Sequence, residues 1–171
     1  RTKQAVKILN ELGTPCLIHQ PSYNLFNRWV EEDNLLNTLD DLGIGSIAFT
    51  PLAQGMLTNK YLNKIPSESR ATQGKSLDKN KITPELIQAL NDLNDIAANR
   101  GQSLAQMAIS WVLRNGRVTT ALIGASKPEQ VKDCVGAIGN LDFDIEELSK
   151  IDAIASDQGI NLWAKSSESD D

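Results

Sequence analysis

The chain predicts an α/β fold: short apolar runs of strand type alternate with amphipathic helical patterns, and one strand turns through a glycine into a capped helix. Such alternation argues for parallel strands joined by crossover helices, which means a doubly wound sheet or part of a (β/α)8 barrel. The turn in question runs from Thr120 to Val131, T-A-L-I-G-A-S-K-P-E-Q-V. Ala121, Leu122 and Ile123 form the apolar run, Gly124 lets backbone come close to a ligand, and Ser126 can cap the helix that follows. The first-turn N–H groups of that helix lack internal partners and carry the positive end of its dipole, so an anion beside Lys127 would be stabilised there. Ser126 and Glu129 equally form an S-x-x-E capping box, which needs no ligand.

The elements follow in order. Val6, Ile8, Leu9 and Leu12 give a first helix, with Gly13 as its stop. Cys16 to Gln20 is a strand-like run, followed by a loop with Pro and Asn and a helix ending near Leu42; Ile44 to Phe49 is the second strand. Thr50 to Lys81 is a polar loop far longer than a connector needs, and loops of that length are commonly functional, which makes it the candidate lid. Thr83-Pro84-Glu85 opens a helix carrying Leu86, Ile87, Leu90, Leu93 and Ile96 at helical spacing, with Gly101 past its end. A further helix runs from Leu104 to Leu113, a third strand from Thr119 to Ile123, a helix from Pro128 to Ile138, and a last amphipathic helix carries Ile145, Leu148, Ile151 and Ile154.

Composition narrows the function classes. With 171 residues, 40% hydrophobic and 23% charged, the chain has the makeup of one soluble globular domain with a real core. A net charge of −5 gives no basic footprint for nucleic acid. No apolar run approaches the roughly 18 residues of a membrane span, and no charged-then-apolar signal segment opens the chain, so it reads as cytosolic with no membrane partner. Cys16 and Cys134 stand apart without flanking His or Cys and read as reduced core residues rather than a metal site or disulfide.

Five ordered blocks carry a resemblance over nearly the whole chain: H-Q-P-S-Y-N-L-F-N-R from His19, A-F-T-P-L-A-Q-G-M-L-T-N-K-Y from Ala48, I-P-S-E-S-R from Ile65, R-G-Q-S-L-A-Q-M-A-I-S-W from Arg100 and I-G-A-S-K-P-E-Q from Ile123. Together they resemble the C-terminal half of the aldo-keto reductases, NADPH-dependent (β/α)8-barrel oxidoreductases. Within that family they look most like the branch shared by potassium-channel β subunits and bacterial L-glyceraldehyde 3-phosphate reductases, as does the N-L-W from Asn161 to Trp163. The resemblance implies that residues 1–171 are the C-terminal part of one (β/α)8 TIM barrel, whose loops after Phe49 and at Gly124 to Gln130 open on one face.

It also implies a cofactor site for NADPH. Gln20, at the carboxyl end of a barrel strand, would hold the nicotinamide carboxamide, and Phe49 would stack on the nicotinamide ring. Thr50, Pro51, Leu52, Ala53 and Gln54 would follow the pyrophosphate, with Lys60 and Arg70 supplying positive charge. Gly124, Ser126, Lys127 and Gln130 would hold the adenosine end and its 2′-phosphate. Read without the family, Phe49 is plain core and Lys60 and Arg70 are solvated charges. His19 should point to the face of its strand opposite Gln20 and pack there, and Trp29, Trp111 and Met107 read as core.

Two departures from the family pattern stand out. The adenine is commonly met by a Glu-Asn pair beyond the Gln, and here those positions hold Asp133 and Cys134. The family's catalytic Asp, Tyr, Lys and His (or Asn) come from the first half of the barrel, and the motifs carrying them do not occur in these residues; Tyr23, Tyr61 and Lys60 do not match them. The resemblance therefore implies a reductase of small aldehydes, of glyceraldehyde 3-phosphate type, completed by an N-terminal half. Alternatives are a non-catalytic NADP(H)-binding regulatory subunit, or a truncated remnant that associates with itself.

Overall fold

The computed structural model describes residues 1–62 and 82–155. Among them three parallel strands, β1 (Ile18–His19), β2 (Gly45–Phe49) and β3 (Thr120–Leu122), form a sheet in the order β1-β2-β3. The register pairs Ile18 with Gly45, Ala48 with Ala121 and Phe49 with Leu122. Strand alternation then divides the side chains: His19, Ser46, Ala48 and Ala121 share one face, and Ile18, Ile47, Phe49 and Leu122 share the other. The first face is covered by helices and leaves Ser46 and Ala48 at 0% exposure, whereas Ile18 and Leu122 on the second are 49% and 52% exposed. Parallel sheets are normally covered on both faces, and among the described residues the helices cover the first.

The helices form where the apolar periodicity places them. They are α1 (Thr2–Glu11), α2 (Trp29–Glu32), α3 (Leu35–Asp41), α4 (Pro84–Asn99), α5 (Leu104–Leu113), α6 (Pro128–Val135) and α7 (Ile145–Ile154). Thr83 caps α4, accepting the Leu86 N–H at 3.2 Å, and Gly101 closes it at φ +67°. In α5 the Ser103 hydroxyl takes the Gln106 N–H while the Gln106 side chain takes the Ser103 N–H, a full capping box. The core gathers Leu86, Leu90 and Leu93 of α4, Leu104, Met107 and Trp111 of α5 and Ile151 of α7, each at 1% exposure or less. Burial of each such side chain contributes about 1.5–3 kcal/mol. By contrast α1 buries none of its residues, and Ile8 and Leu12 stand 56% and 73% exposed.

Several expectations are corrected. The helix expected to end near Leu42 is two, α2 and α3, because Asn34 between them adopts φ 55°. The strand expected from Cys16 to Gln20 is ladder-paired only over Ile18–His19. The helix expected from Pro128 to Ile138 ends at Val135 and tightens into a 3-10 turn, Gly136–Gly139. Trp29 is half-buried and packs against the core from its edge; its indole N–H donates to the Ser22 carbonyl at 2.9 Å. Trp111 and Met107 are fully buried, and Cys16 and Cys134 are free thiols, half-buried and buried. Burial and the neighbouring Asp133 carboxylate raise the Cys134 pKa, as suits an inert thiol.

Candidate functional site

Because β2 and β3 run parallel and end together at Phe49 and Leu122, the segments that follow them emerge at the same end of the sheet. The chain after β1 joins them there: the Phe49 N–H donates to the Pro21 carbonyl at 3.0 Å, and the Tyr23 N–H donates to the Phe49 carbonyl at 3.2 Å. Gln20, exposed, thus lies one residue before the pairing that fixes Phe49, and Phe49 is half-buried on the open face. His19 lies on the covered face as the alternation requires. Burial lowers its pKa, and its Nδ1 is buried without a hydrogen-bond partner.

Beyond β2 the backbone turns sharply. Thr50 (φ 57°), Ala53 (φ 45°), Gln54 (φ 60°) and Gly55 (φ 93°) all adopt positive φ within six residues. A β-branched residue in that region is an outlier, with a strain of order 1–3 kcal/mol. The Ala53 N–H donates to the Thr50 carbonyl at 2.9 Å, closing a turn that has Pro51 at its favoured second position. Pro51 and Ala53 are buried, Leu52 and Gln54 half-buried. Gln54 Oε1 is buried with no hydrogen-bond partner, a group that a ligand could satisfy.

Buried polar side chains that follow β1 surround this turn. Ser22 Oγ and Thr50 Oγ1 lie 2.9 Å apart, Asn24 Nδ2 donates to the Thr50 carbonyl at 2.9 Å, and Asn27 Nδ2 donates to Ser22 Oγ at 2.9 Å. These residues were missed as functional candidates in the sequence. The only local sign of them is a Ser- and Asn-containing run directly after a strand, which also reads as an ordinary turn.

At the other segment the expected Ser126–Glu129 capping box is not formed. Gln130 does the capping instead: its Oε1 accepts the Ser126 N–H at 2.8 Å, the Ser126 hydroxyl at 3.2 Å and the Lys127 N–H at 3.2 Å. The Gln130 N–H donates to the Lys127 carbonyl at 3.1 Å. With Lys127 at the N-cap, Gln130 stands three residues on, where its side chain can fold back to the N–H groups that precede the helix, and Pro128 contributes none. What this segment offers an anion is therefore the Lys127 ammonium and the helix dipole, with Gly124, Ser126 and Lys127 exposed. A Cβ at Gly124 would meet nothing within 4 Å, so space rather than backbone approach distinguishes that position here.

Asp133 is occupied as a bracket between helices. Its carboxylate oxygens each lie 3.1 Å from Ser103 Oγ, and its carbonyl accepts Gln106 Nε2 at 3.1 Å. Lys60 is exposed, and its N–H reaches Thr58 Oγ1 at 3.4 Å. Arg70, the block from Ile65 and the Asn161 to Trp163 segment lie outside the described residues, as does most of the loop read as a lid.

The tyrosines are core residues, at 1% and 3% exposure for Tyr23 and Tyr61. Tyr23 donates to Glu31 Oε1 and accepts from Arg114 Nη1 at 2.9 Å, and its pKa is raised, by burial first. It is held as a neutral structural phenol. No cluster of His, Cys, Asp and Glu among the described residues is arranged to hold a metal ion.

Comparison with known proteins agrees with this architecture. The model of the Aldo/keto reductase family matches residues 1–156. The chain is 50% identical over 172 residues to the L-glyceraldehyde 3-phosphate reductase of Escherichia coli, covering 98% of this chain and 50% of that protein. It is 38% identical over 140 residues to a voltage-gated potassium channel subunit beta homologue of Schizosaccharomyces pombe, covering 79% and 41%. Among solved structures, the glycerol dehydrogenase of Gluconobacter oxydans superposes with a TM-score of 0.70 at 28% identity, covering 88% of this chain and 45% of that one. The chain spans about half the length of the curated relatives it matches. The three parallel strands are accordingly part of a (β/α)8 barrel, and the chain belongs to the aldo/keto reductase family.

Proposed function

We propose that this chain supplies the NADP(H)-binding part of an aldehyde reductase acting on small aldehydes of the glyceraldehyde 3-phosphate type. The observation that carries the reading is the gathering of Gln20, Phe49 and the Thr50–Gly55 turn, with the Gly124–Gln130 segment, at one end of a sheet whose other face is open. Half-identity to a glyceraldehyde-phosphate reductase across the chain supports the substrate class.

When bound, NADPH supplies a hydride to the aldehyde carbon, and a proton from an acid completes the alcohol. In this reading Gln20 would hold the carboxamide and Phe49 would offer a flat apolar face to the nicotinamide. The 50–54 turn would follow the pyrophosphate, with Lys60 and Arg70 supplying positive charge. Gly124, Ser126, Lys127 and Gln130 would hold the adenosine end and its 2′-phosphate, and Asp133 would stand where the family meets the adenine. The acid is neither Tyr23 nor Tyr61, both enclosed in the core, so the proton donor comes from elsewhere in the barrel. A cytoplasmic location suits this chemistry, and no helix among the described residues is long and apolar enough to cross a membrane. A second reading, a non-catalytic NADP(H)-binding subunit, is favoured by the similarity to the potassium-channel relative.

Titration of the purified protein with NADPH, followed by cofactor fluorescence and thermal denaturation with NADH as control, tests the proposal. Saturable binding that prefers NADPH should raise stability by about 2.7 kcal/mol at a hundredfold excess over Kd. Lys127→Ala should weaken NADPH and leave NADH unchanged. Equal binding of both nucleotides, or none, would refute the assignment, and binding without aldehyde reduction would favour the second reading.

A further inference from the structure

We infer that Ser22, Asn24 and Asn27 are positioning residues that hold Thr50 in its left-handed conformation and so aim the Thr50–Gly55 turn at the cofactor. This deepens the NADP(H) reading and rests on it.

Thr50 needs holding. Nothing about a threonine favours φ 57°, and a glycine would be the ordinary choice there. Its carbonyl takes two donors, Asn24 Nδ2 and the Ala53 N–H, both at 2.9 Å, so the orientation of that peptide is set from both sides. Asn24 is itself fixed. Its Oδ1 accepts the Phe26 N–H at 3.0 Å, and its backbone exchanges bonds with Asn27 at 3.2 and 3.0 Å. All three clamp residues are buried, with exposures of 4%, 5% and 6% for Ser22, Asn24 and Asn27. Buried polar groups that serve only one another stabilise little relative to apolar packing, whereas these converge on one strained residue.

The clamp also engages the Thr50 hydroxyl. Asn27 Nδ2 can only donate, so Ser22 Oγ accepts from it. Ser22 Oγ and Thr50 Oγ1 lie 2.9 Å apart, and either hydroxyl can be the donor. When Ser22 is the donor, the Thr50 proton is left for an acceptor beyond the clamp, such as a phosphate oxygen. The geometry thus couples the polar run after β1 to the end of β2.

Asn24→Asp is the discriminating variant. It is isosteric and keeps the acceptor for Phe26, but it replaces the donor to the Thr50 carbonyl with an acceptor. In the protein as its gene encodes it, dissociation constants would be measured for NADPH and for adenosine 2′,5′-bisphosphate, which lacks the nicotinamide half and reports on the Gly124–Gln130 segment alone. The expected result is about tenfold weaker NADPH binding, the equivalent of one lost hydrogen bond, with bisphosphate affinity within about twofold of the unsubstituted protein. Ser22→Ala should act in the same direction, and it carries the test should the aspartate variant fail to fold. Unchanged NADPH affinity in the variant overturns the inference alone, as does an equal loss for both probes, which would mark general damage. Failure of the unsubstituted protein to bind either probe overturns the NADP(H) reading and this inference with it.

Discussion

Glu31→Gln should be among the most destabilising single-charge changes in this chain. Glu31 Oε1 accepts Arg114 Nη2 at 2.6 Å and the Tyr23 hydroxyl, while Oε2 accepts Arg28 Nε at 2.7 Å. The two arginines lie over the Trp111 ring, with guanidinium carbons 3.6 Å and 5.0 Å from its centroid, and Arg28 also reaches Asp152 at 2.6 Å. One carboxylate thus ties the segment after β1 to α5 and, through Arg28, to α7. A hydrogen bond to a charged group contributes about 1.5–3 kcal/mol, and glutamine keeps one acceptor oxygen while turning an NH2 towards a guanidinium. Because Glu31 is about a quarter exposed, the full buried-pair penalty does not apply, and the expected loss is about 2–3 kcal/mol.

The pH dependence gives the sharper assay. Burial alone would raise the Glu31 pKa, but hydrogen bonds from Tyr23 and Arg114 and the arginine charges outweigh it and carry the group below its ordinary 4.5. A depressed carboxylate stabilises the fold fully above its unfolded pKa and loses that contribution as pH falls through the folded one. The difference between the unsubstituted protein and the variant, read from urea denaturation, should therefore be largest at neutral pH and shrink below pH 4.5. Glu146→Gln, which breaks the exposed pair with Lys150, should show no measurable effect. A Glu31→Gln loss under about 0.5 kcal/mol, or one constant down to acid pH, would refute the reasoning.

Gly136→Ala and Gly139→Ala should differ in sign. A Cβ at Gly136 would sit 2.5 Å from Gln106 Nε2 and force that side chain out of the α5 capping box, at a cost of about 1–2 kcal/mol, whereas Gly139 has nothing within 4 Å and should be neutral to stabilising; equal denaturation midpoints would contradict the packing. His19, the only histidine of the chain, has its pKa lowered by burial, so the unfolded chain gains a proton below 6.5 before the folded one does. Stability should fall from pH 7.5 to 5.5, and His19→Gln should flatten that slope; parallel slopes would show His19 to be solvated.

Helix positions were legible in the residues because their causes lie within one or two turns. Thr83-Pro84 starts α4, Gly13 and Gly101 stop their helices, and apolar spacing alone outlines α5 and α7. The same locality explains the misses. Nothing near Asn34 announces a left-handed residue between two helices, and Glu129 matches the capping template better than Gln130, which takes the cap because its amide reaches both preceding N–H groups. At the site, the ordered blocks pointed to Phe49 to Gln54 and Gly124 to Gln130 without showing what fixes them.

By itself the sequence determined the α/β class and the order of elements, since hydrophobic period, caps and breakers act over short stretches of chain. Only the tertiary structure decided that Thr50 is strained and clamped from 26 and 28 residues away, that Glu31 is shared by two arginines and a tyrosine, and that one sheet face stands open. Those are properties of groups brought together by strand pairing and helix packing, and no local pattern encodes which distant partner a buried polar atom will meet.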